Sequence, residues 1–370
     1  MDPIKVLIVD DSVVVRQVLT ELMASDPGLE VVGTAVDPFD AREKIKQLQP
    51  DVLTLDIEMP RMDGLTFLRN LMRLRPLPVV MLSSLTTEKA EVTLQALELG
   101  AVDFMAKPRV GSDEQALERF RDGLLARVRA AAAAAPKLRT GLRATRVVTE
   151  GESAGPARQP DPRALIAIGA STGGTQALKQ LLEALPDWMP PIVVTQHIPG
   201  SFSGRFARRL DENGPLRVQE AADQQPLQPG HVYIAPGDRH LRVVAAGDGY
   251  RCRLDSGPAV NRHRPSVEVM FDSLLVLEPG CCTAVMLTGM GRDGAAAMRR
   301  LRDAGARTLV QDEATSMVWG MPGAAVELGA AQQILPLPRI AGALVRSASE
   351  VLQQNAVAVN LQSDGVLADE

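Results

Sequence analysis

Three polar side chains in this 370-residue chain stand at the ends of apolar runs, at spacings that permit chemistry. Ser171 follows Leu165-Ile166-Ala167-Ile168-Gly169-Ala170 and precedes Thr172-Gly173-Gly174. Gly169, Ser171 and Gly173 match G-x-S-x-G, a spacing that presents a hydroxyl on a sharp strand-to-helix turn. Glycines let the backbone turn without a Cβ clash. The helix start behind the serine offers N–H groups to a developing oxyanion. The same residues also describe a glycine-rich turn that holds a phosphate. His197 ends the run Pro191-Ile192-Val193-Val194-Thr195-Gln196, 26 residues after the serine. Asp293 lies in Thr288-Gly289-Met290-Gly291-Arg292-Asp293-Gly294, behind the apolar run 282–287. A hydroxyl, an imidazole and a carboxylate together suit acyl transfer. The imidazole takes the hydroxyl proton, and the carboxylate orients the ring and stabilises its protonated form. Asp293 also reads as a helix N-cap, which is compatible with that role.

A second set of groups lies nearer the N-terminus. Asp10, Asp11, Asp56, Ser83 and Lys107 each follow a short apolar run. Three carboxylates gathered at one edge repel one another unless a cation joins them, and hard oxygen ligands suit Mg²⁺. Lys107 supplies a compact positive charge and Ser83 a hydroxyl, both suited to a phosphoryl group. One carboxylate can then accept phosphate. An acidic rim that only solubilises the loop ends is the alternative.

The elements that must position these groups are legible in the patterning. Val6–Val9, Val31–Ala35, Val52–Leu55, Val79–Leu82 and Ala101–Met105 read as strands, with helical stripes between them. Alternating strands and helices imply a doubly wound parallel sheet over residues 1–125, with its ligand crevice at the carboxyl ends of the strands. Residues 164–350 read as a second α/β domain, Rossmann-like, with a β-hairpin. A right-handed crossover of 26 residues places the strands ending at Ser171 and His197 beside or near each other. The strand before Asp293 ends at the same edge. The order Ser, His, Asp differs from the Ser, Asp, His of α/β-hydrolases. His231, His240 and His263 are weaker rivals, because none of them ends a buried strand; His240 sits between two strands of an apparent hairpin.

Between the domains, residues 126–163 read as a linker. The helical pattern through Leu117, Phe120, Leu124 and Val128 ends in the alanine run 130–135 and Pro136, and an Arg-, Ala-, Gly- and Pro-rich stretch follows. Residues 351–370 read as a polar tail. The net charge of −5 and the absence of aromatics from the basic linker argue against nucleic acid. Aromatics are only 3%, so the cores are built from Leu, Val, Ile, Ala and Met. Cys252, Cys281 and Cys282 have no metal-ligand spacing and read as reduced thiols. No signal peptide is read at the N-terminus, and no apolar run approaches the ~18 residues of a membrane span. The expectation is a cytoplasmic protein with no direct membrane insertion.

The first domain resembles a response-regulator receiver. The matching residues are Asp10-Asp11, Asp56 in Asp56-Ile57-Glu58-Met59-Pro60 with Asp63-Gly64 behind it, Ser83, and Lys107-Pro108. The resemblance implies phosphorylation at Asp56, with Mg²⁺ held by Asp10, Asp11, Asp56 and the backbone carbonyl of Glu58. Ser83, Lys107 and Phe104 would form the receiver's switch.

The second domain resembles the chemotaxis protein-glutamate methylesterases. The resemblance rests on Gly169-Ala170-Ser171-Thr172-Gly173-Gly174, Thr195-Gln196-His197 and Leu287–Gly294, with Ala235-Pro236-Gly237-Asp238 and Gly257-Pro258-Ala259-Val260-Asn261 as further signature stretches. A receiver in front completes that family's plan. The resemblance implies hydrolysis of glutamate γ-methyl esters on chemoreceptors by Ser171, His197 and Asp293, with no cofactor for the esterase. Backbone N–H groups near Met290 and Thr172 would form the oxyanion site. Deamidation of receptor glutamines, phosphorylation by a chemotaxis-type histidine kinase, and a receiver that covers the serine until phosphorylated are implied as well. Arg205, Arg208 and Arg209 read as a solvated helix face. Two other readings stay open: a receiver-controlled serine hydrolase or amidase of another substrate, and a catalytically inactive receiver-linked adaptor.

Overall fold

The computed structural model describes residues 2–83, 87–107, 114–139, 163–247 and 249–349. The chain divides into two units, Met1–Arg143 and Ala144–Glu370.

The first unit runs β1 (Ile4–Val9), α1 (Val13–Ala24), β2 (Leu29–Ala35), α2 (Pro38–Leu48), β3 (Val52–Asp56), α3 (Gly64–Leu74), β4 (Val79–Ser83), α4 (Thr87–Glu98), β5 (Asp103–Ala106) and α5 (Glu114–Arg139). Its strands form one parallel sheet in the order β2-β1-β3-β4-β5. This is a flavodoxin-like arrangement. β3 and β4 are buried at every position, which accounts for their continuous apolar runs. Each Val or Leu buried there contributes roughly 1.5–3 kcal/mol by leaving water. Polar caps restart the chain as helix after β1, β2 and β3: Ser12 Oγ accepts from Val15 N, Asp37 from Phe39 N and Asp40 N, and Asp63 from Thr66 N.

α5 differs from its sequence reading. It continues through the alanine run and past Pro136 to Arg139. Ala131 and Ala134 are fully buried, and Arg129 pairs with Asp26 at the end of α1. Tertiary contact thus carries the helix through a residue that removes one hydrogen bond near its end.

The second unit runs β6 (Leu165–Ala170), α6 (Gly174–Glu183), β7 (Ile192–Gln196), α7 (Gly200–Asp211), β8 (Arg217–Glu220), β9 (His231–Ile234), β10 (His240–Ala246), β11 (Gly249–Asp255), α8 (Val267–Ser273), β12 (Cys282–Met286), α9 (Ala295–Asp303), β13 (Arg307–Gln311), α10 (Met321–Glu327) and β14 (Gln333–Leu335). A further helix covers 337–349. Seven parallel strands form a sheet in the order β14-β13-β12-β6-β7-β9-β8. This is the expected Rossmann-like sheet. The hairpin is β10–β11, which pair antiparallel outside that sheet. β9 is not part of it: β9 pairs in parallel with both β7 and β8, so the turn before His240 leaves the sheet altogether.

The strand order reverses at β6. Its successor β7 lies on one side and the later strand β12 on the other. Such a switch point opens a crevice at the carboxyl end of the strand, where no connection crosses over it. Ser171 follows β6 at that point.

Candidate active site

The three strand ends around Ser171 are laced by backbone bonds. Ser171 N donates to Thr288 O at 3.0 Å, and His197 N donates to Ala170 O at 3.1 Å. Ser171 O accepts from Gly174 N at 2.7 Å and from Gln196 Nε2 at 2.9 Å. Gln196 Nε2 also lies 3.3 Å from His197 O, so one amide bridges the serine turn and the histidine. Thr288 Oγ1 donates to Thr172 O at 2.9 Å and accepts from Val318 N at 2.9 Å.

The glycines of the motif have separate tasks. Gly173 has φ of +76° and caps α6, so it supplies the left-handed turn. Gly169 lies within β6, and a Cβ there would come 2.4 Å from Val267 Cγ1. Its task is to admit α8 against the strand rather than to bend the chain. Gly289 lies against the serine itself: a Cβ there would sit 2.9 Å from Ser171 Cβ and 2.5 Å from Met321 Sδ.

His197 and Asp293 are brought together. His197 Nε2 lies 2.9 Å from Asp293 Oδ2. Asp293 is 1% exposed and accepts around its whole edge. Val267 N donates to Oδ2 at 2.7 Å; Asn261 Nδ2 and Ser266 Oγ each donate to Oδ1 at 2.8 Å. Burial pushes this carboxyl up. The bonds from His197, Asn261 and Ser266 outweigh burial and bring it down to about 2. At neutral pH Asp293 is therefore an ionised acceptor, and the nitrogen facing it carries a proton. The other ring nitrogen, Nδ1, is buried and has no hydrogen-bond partner. One face of the His197 ring stacks on His263, with centroids 3.7 Å apart and planes 7° from parallel.

Of the second-rank residues, Thr172 is buried beside the serine, and Met290 is half-buried in the turn after β12. That turn is clamped from behind: Gly320 N and Met321 N donate to Gly289 O at 3.0 and 2.8 Å. The rival histidines have other surroundings. His240 Nδ1 accepts from Ser266 N and its Nε2 donates to Pro258 O, which makes it a buried strut. His231 bonds Pro229 O at the surface. The sequence places Gln196 and Asn261 in motif stretches and His263 among the rival histidines, but it assigns none of them, nor Ser266, to the support of His197 and Asp293. Ser266 follows Pro265 in an unremarkable stretch, and only the fold brings it to Asp293.

In the first unit, Asp10, Asp11 and Asp56 offer oxygens that all lie within 4.8 Å of one another. Lys107 Nζ sits 2.7 Å from Asp10 Oδ2 and 2.7 Å from Asp56 Oδ2. Burial raises the Asp56 carboxyl, with the neighbouring Asp10 adding to it and Lys107 opposing it. Burial works against the Lys107 charge, but the two carboxylates outweigh it and raise its ammonium. The Glu58 N–H donates to Asp56. Gly64 packs so closely that a Cβ would strike Asp56 O at 2.0 Å. Ser83 is buried at the end of β4, and Phe104 is buried on β5. An all-oxygen, acidic donor set of this kind fits a hard divalent cation.

Comparison with known proteins agrees with this division. A receiver-domain model for response regulators matches residues 6–118, and a model described as CheB methylesterase matches residues 166–344. A protein-glutamate methylesterase/protein-glutamine glutaminase of Saccharophagus degradans is 54% identical over 348 residues, covering 94% of this chain and 99% of that one. A protein of the same name from Xanthomonas campestris is 53% identical, covering 93% and 97%. Among solved structures, the catalytic domain of Thermotoga maritima CheB methylesterase is 37% identical over 50% of this chain and 97% of its own, with a TM-score of 0.48. With more than half of its residues identical along nearly the whole of such relatives, this chain belongs to the family of receiver-linked protein-glutamate methylesterases.

Proposed function

We propose that Ser171, His197 and Asp293 carry the methylesterase chemistry of this chain, acting on glutamate γ-methyl esters of chemoreceptors. The observation that supports it most is the 2.9 Å contact of His197 with an ionised, buried Asp293, on strand ends that flank the serine. With Nε2–H directed at Asp293, a neutral His197 has its lone pair on Nδ1, the atom that would take the serine proton. Ser171 Oγ attacks the ester carbonyl. The oxyanion is met by backbone N–H groups of the turns holding Thr172 and Met290. His197 returns the proton to departing methanol. Water, activated by the same base, then releases the free glutamate. With a glutamine amide the leaving group is ammonia and the steps are the same.

In the receiver, Asp56 is the phosphate acceptor for a chemotaxis-type histidine kinase. Asp10, Asp11, Asp56 and the Glu58 carbonyl would hold Mg²⁺, which supplies charge neutralisation during phosphoryl transfer. Lys107 pairs with the incoming phosphoryl group, and Ser83 and Phe104 respond to it. Phosphorylation relieves inhibition of the esterase by the receiver. The reactions take place in the cytoplasm; among the described residues no helix is long and apolar enough to cross a membrane. The test is methanol release from methylated receptor by the full chain, with and without beryllofluoride. Ser171→Ala should lower turnover about 10⁴-fold or more, and beryllofluoride should raise the wild-type rate. Unchanged turnover in Ser171→Ala would refute the serine assignment.

A further inference from the structure

The turn Val260–His263 touches both partners of the serine, although it belongs to neither of their strands. Val260 and His263 exchange two backbone hydrogen bonds, N to O at 3.0 Å and 2.9 Å. The two residues between them, Asn261 and Arg262, have φ of +51° and +69°. Positive φ at both centres is the mark of a type I′ hairpin turn, which usually needs glycine. Asn adopts it readily and Arg does not. The turn is tied down around itself: Arg264 Nη1 donates to Ser256 O and Gly257 O at 3.1 and 2.9 Å. From this fixed base, Asn261 Nδ2 reaches Asp293 Oδ1 at 2.8 Å, and the His263 ring lies flat on the His197 ring.

We infer that His263 is a positioning residue, and that its stacked ring holds His197 in the orientation that directs Nε2 to Asp293 and leaves Nδ1 for the serine. The inference rests on the assignment of His197 as the general base.

A single hydrogen bond to Asp293 fixes one point of the imidazole but leaves the ring free to rock about that bond. A parallel ring at 3.7 Å removes that freedom. Asn261 acts from the same turn on the other oxygen of the carboxylate, so the turn sets both members of the pair together. The stacking surface is what matters here, so a carbocyclic ring of similar size serves in place of imidazole.

The chain has four histidines, so each ring is assignable by its removal. Full-length protein labelled with ¹⁵N-histidine is compared as wild type, His263→Ala and His263→Phe, by ring-nitrogen spectra and by methanol release from methylated receptor. His263→Ala should lower kcat about tenfold or more with KM near the wild-type value, since misplaced reacting groups are costly. It should also replace the single His197 Nε2–H tautomer by an averaged signal. His263→Phe should restore most of kcat and the single tautomer. The inference is overturned if His263→Ala leaves kcat and the His197 signal unchanged. It is overturned equally if His263→Phe loses as much as His263→Ala, which would mean that the second imidazole itself does chemistry. Ser171→Ala in parallel separates these outcomes from failure of the serine assignment: if that variant keeps full turnover, the esterase reading falls whatever His263 does.

Discussion

Asp293 Oδ2 meets His197 Nε2 at 2.9 Å, and the state of the carboxylate decides which ring nitrogen keeps its lone pair. Held down to about 2, Asp293 accepts and never donates near neutrality. An amide in its place can offer N–H to the ring and turn the tautomer over, placing the lone pair away from the serine. Asp293→Asn should therefore cost about 10⁴-fold in kcat while KM stays near wild type. Methanol release together with a melting curve checks it. A loss confined to KM would show that Asp293 acts on binding instead.

The same carboxylate contributes to the acid limb of stability. Its folded value lies below the ordinary carboxylate range, so its stabilisation is present at neutral pH. It is lost as pH falls from the unfolded value near 3.8 toward about 2. The size is about 2 kcal/mol. In urea unfolding of the esterase unit, the stability difference between wild type and Asp293→Asn should shrink by about that amount between about pH 6 and about pH 2. A difference independent of pH would contradict the assignment of the low value to this group.

Much of this site was legible because its parts end buried strands. Ser171, His197 and Asp293 each follow a continuous apolar run, and parallel sheets place all such ends on one edge. Asp10, Asp56, Ser83 and Lys107 were legible for the same reason. The clamp was not. Asn261 and His263 lie in a basic, exposed-looking turn with no periodicity, and only tertiary contact carries them to Asp293 and His197. Gly169 was legible as a glycine but not for its task, because Val267 approaches it from 98 residues away. α5 outran its expected end for a related reason: buried packing of Ala131 and Ala134 overrides the local signal of Pro136.

Lys107 balances two buried carboxylates in the receiver, each 2.7 Å away. Removing it leaves those charges facing each other. Lys107→Ala should destabilise the receiver unit by about 3 kcal/mol at neutral pH in metal-free buffer. Adding Mg²⁺ should recover part of the loss, since a cation held by Asp10, Asp11 and Asp56 replaces the missing charge. Chemical denaturation with and without Mg²⁺ checks both points. A loss that Mg²⁺ does not change would count against a cation site at these three residues.

Gly320 supports the turn proposed to meet the oxyanion, through its bond to Gly289 O. A Cβ at this position would meet Gly289 O at 2.7 Å, Gly291 N at 2.8 Å and Met290 Cα at 3.0 Å. All three are backbone atoms, so no side-chain rotation relieves the contact, and the turn after β12 must shift. Gly320 N also donates to Gly289 O at 3.0 Å, which ties that shift to the peptide carrying Met290. Displacement by a few tenths of an ångström spoils donors aimed at a developing oxyanion, while a bound ester in its ground state depends on them much less. Gly320→Ala should therefore lower kcat about 10²-fold with little change in KM. Asp293 lies at the far end of the same turn, but its carboxylate is held from outside the turn by Asn261 Nδ2, Ser266 Oγ and Val267 N, so the His197 ring-nitrogen spectrum should stay at its wild-type position. Steady-state methanol release and that spectrum test the two halves separately. A normal kcat in Gly320→Ala would remove the turn holding Met290 from the oxyanion site.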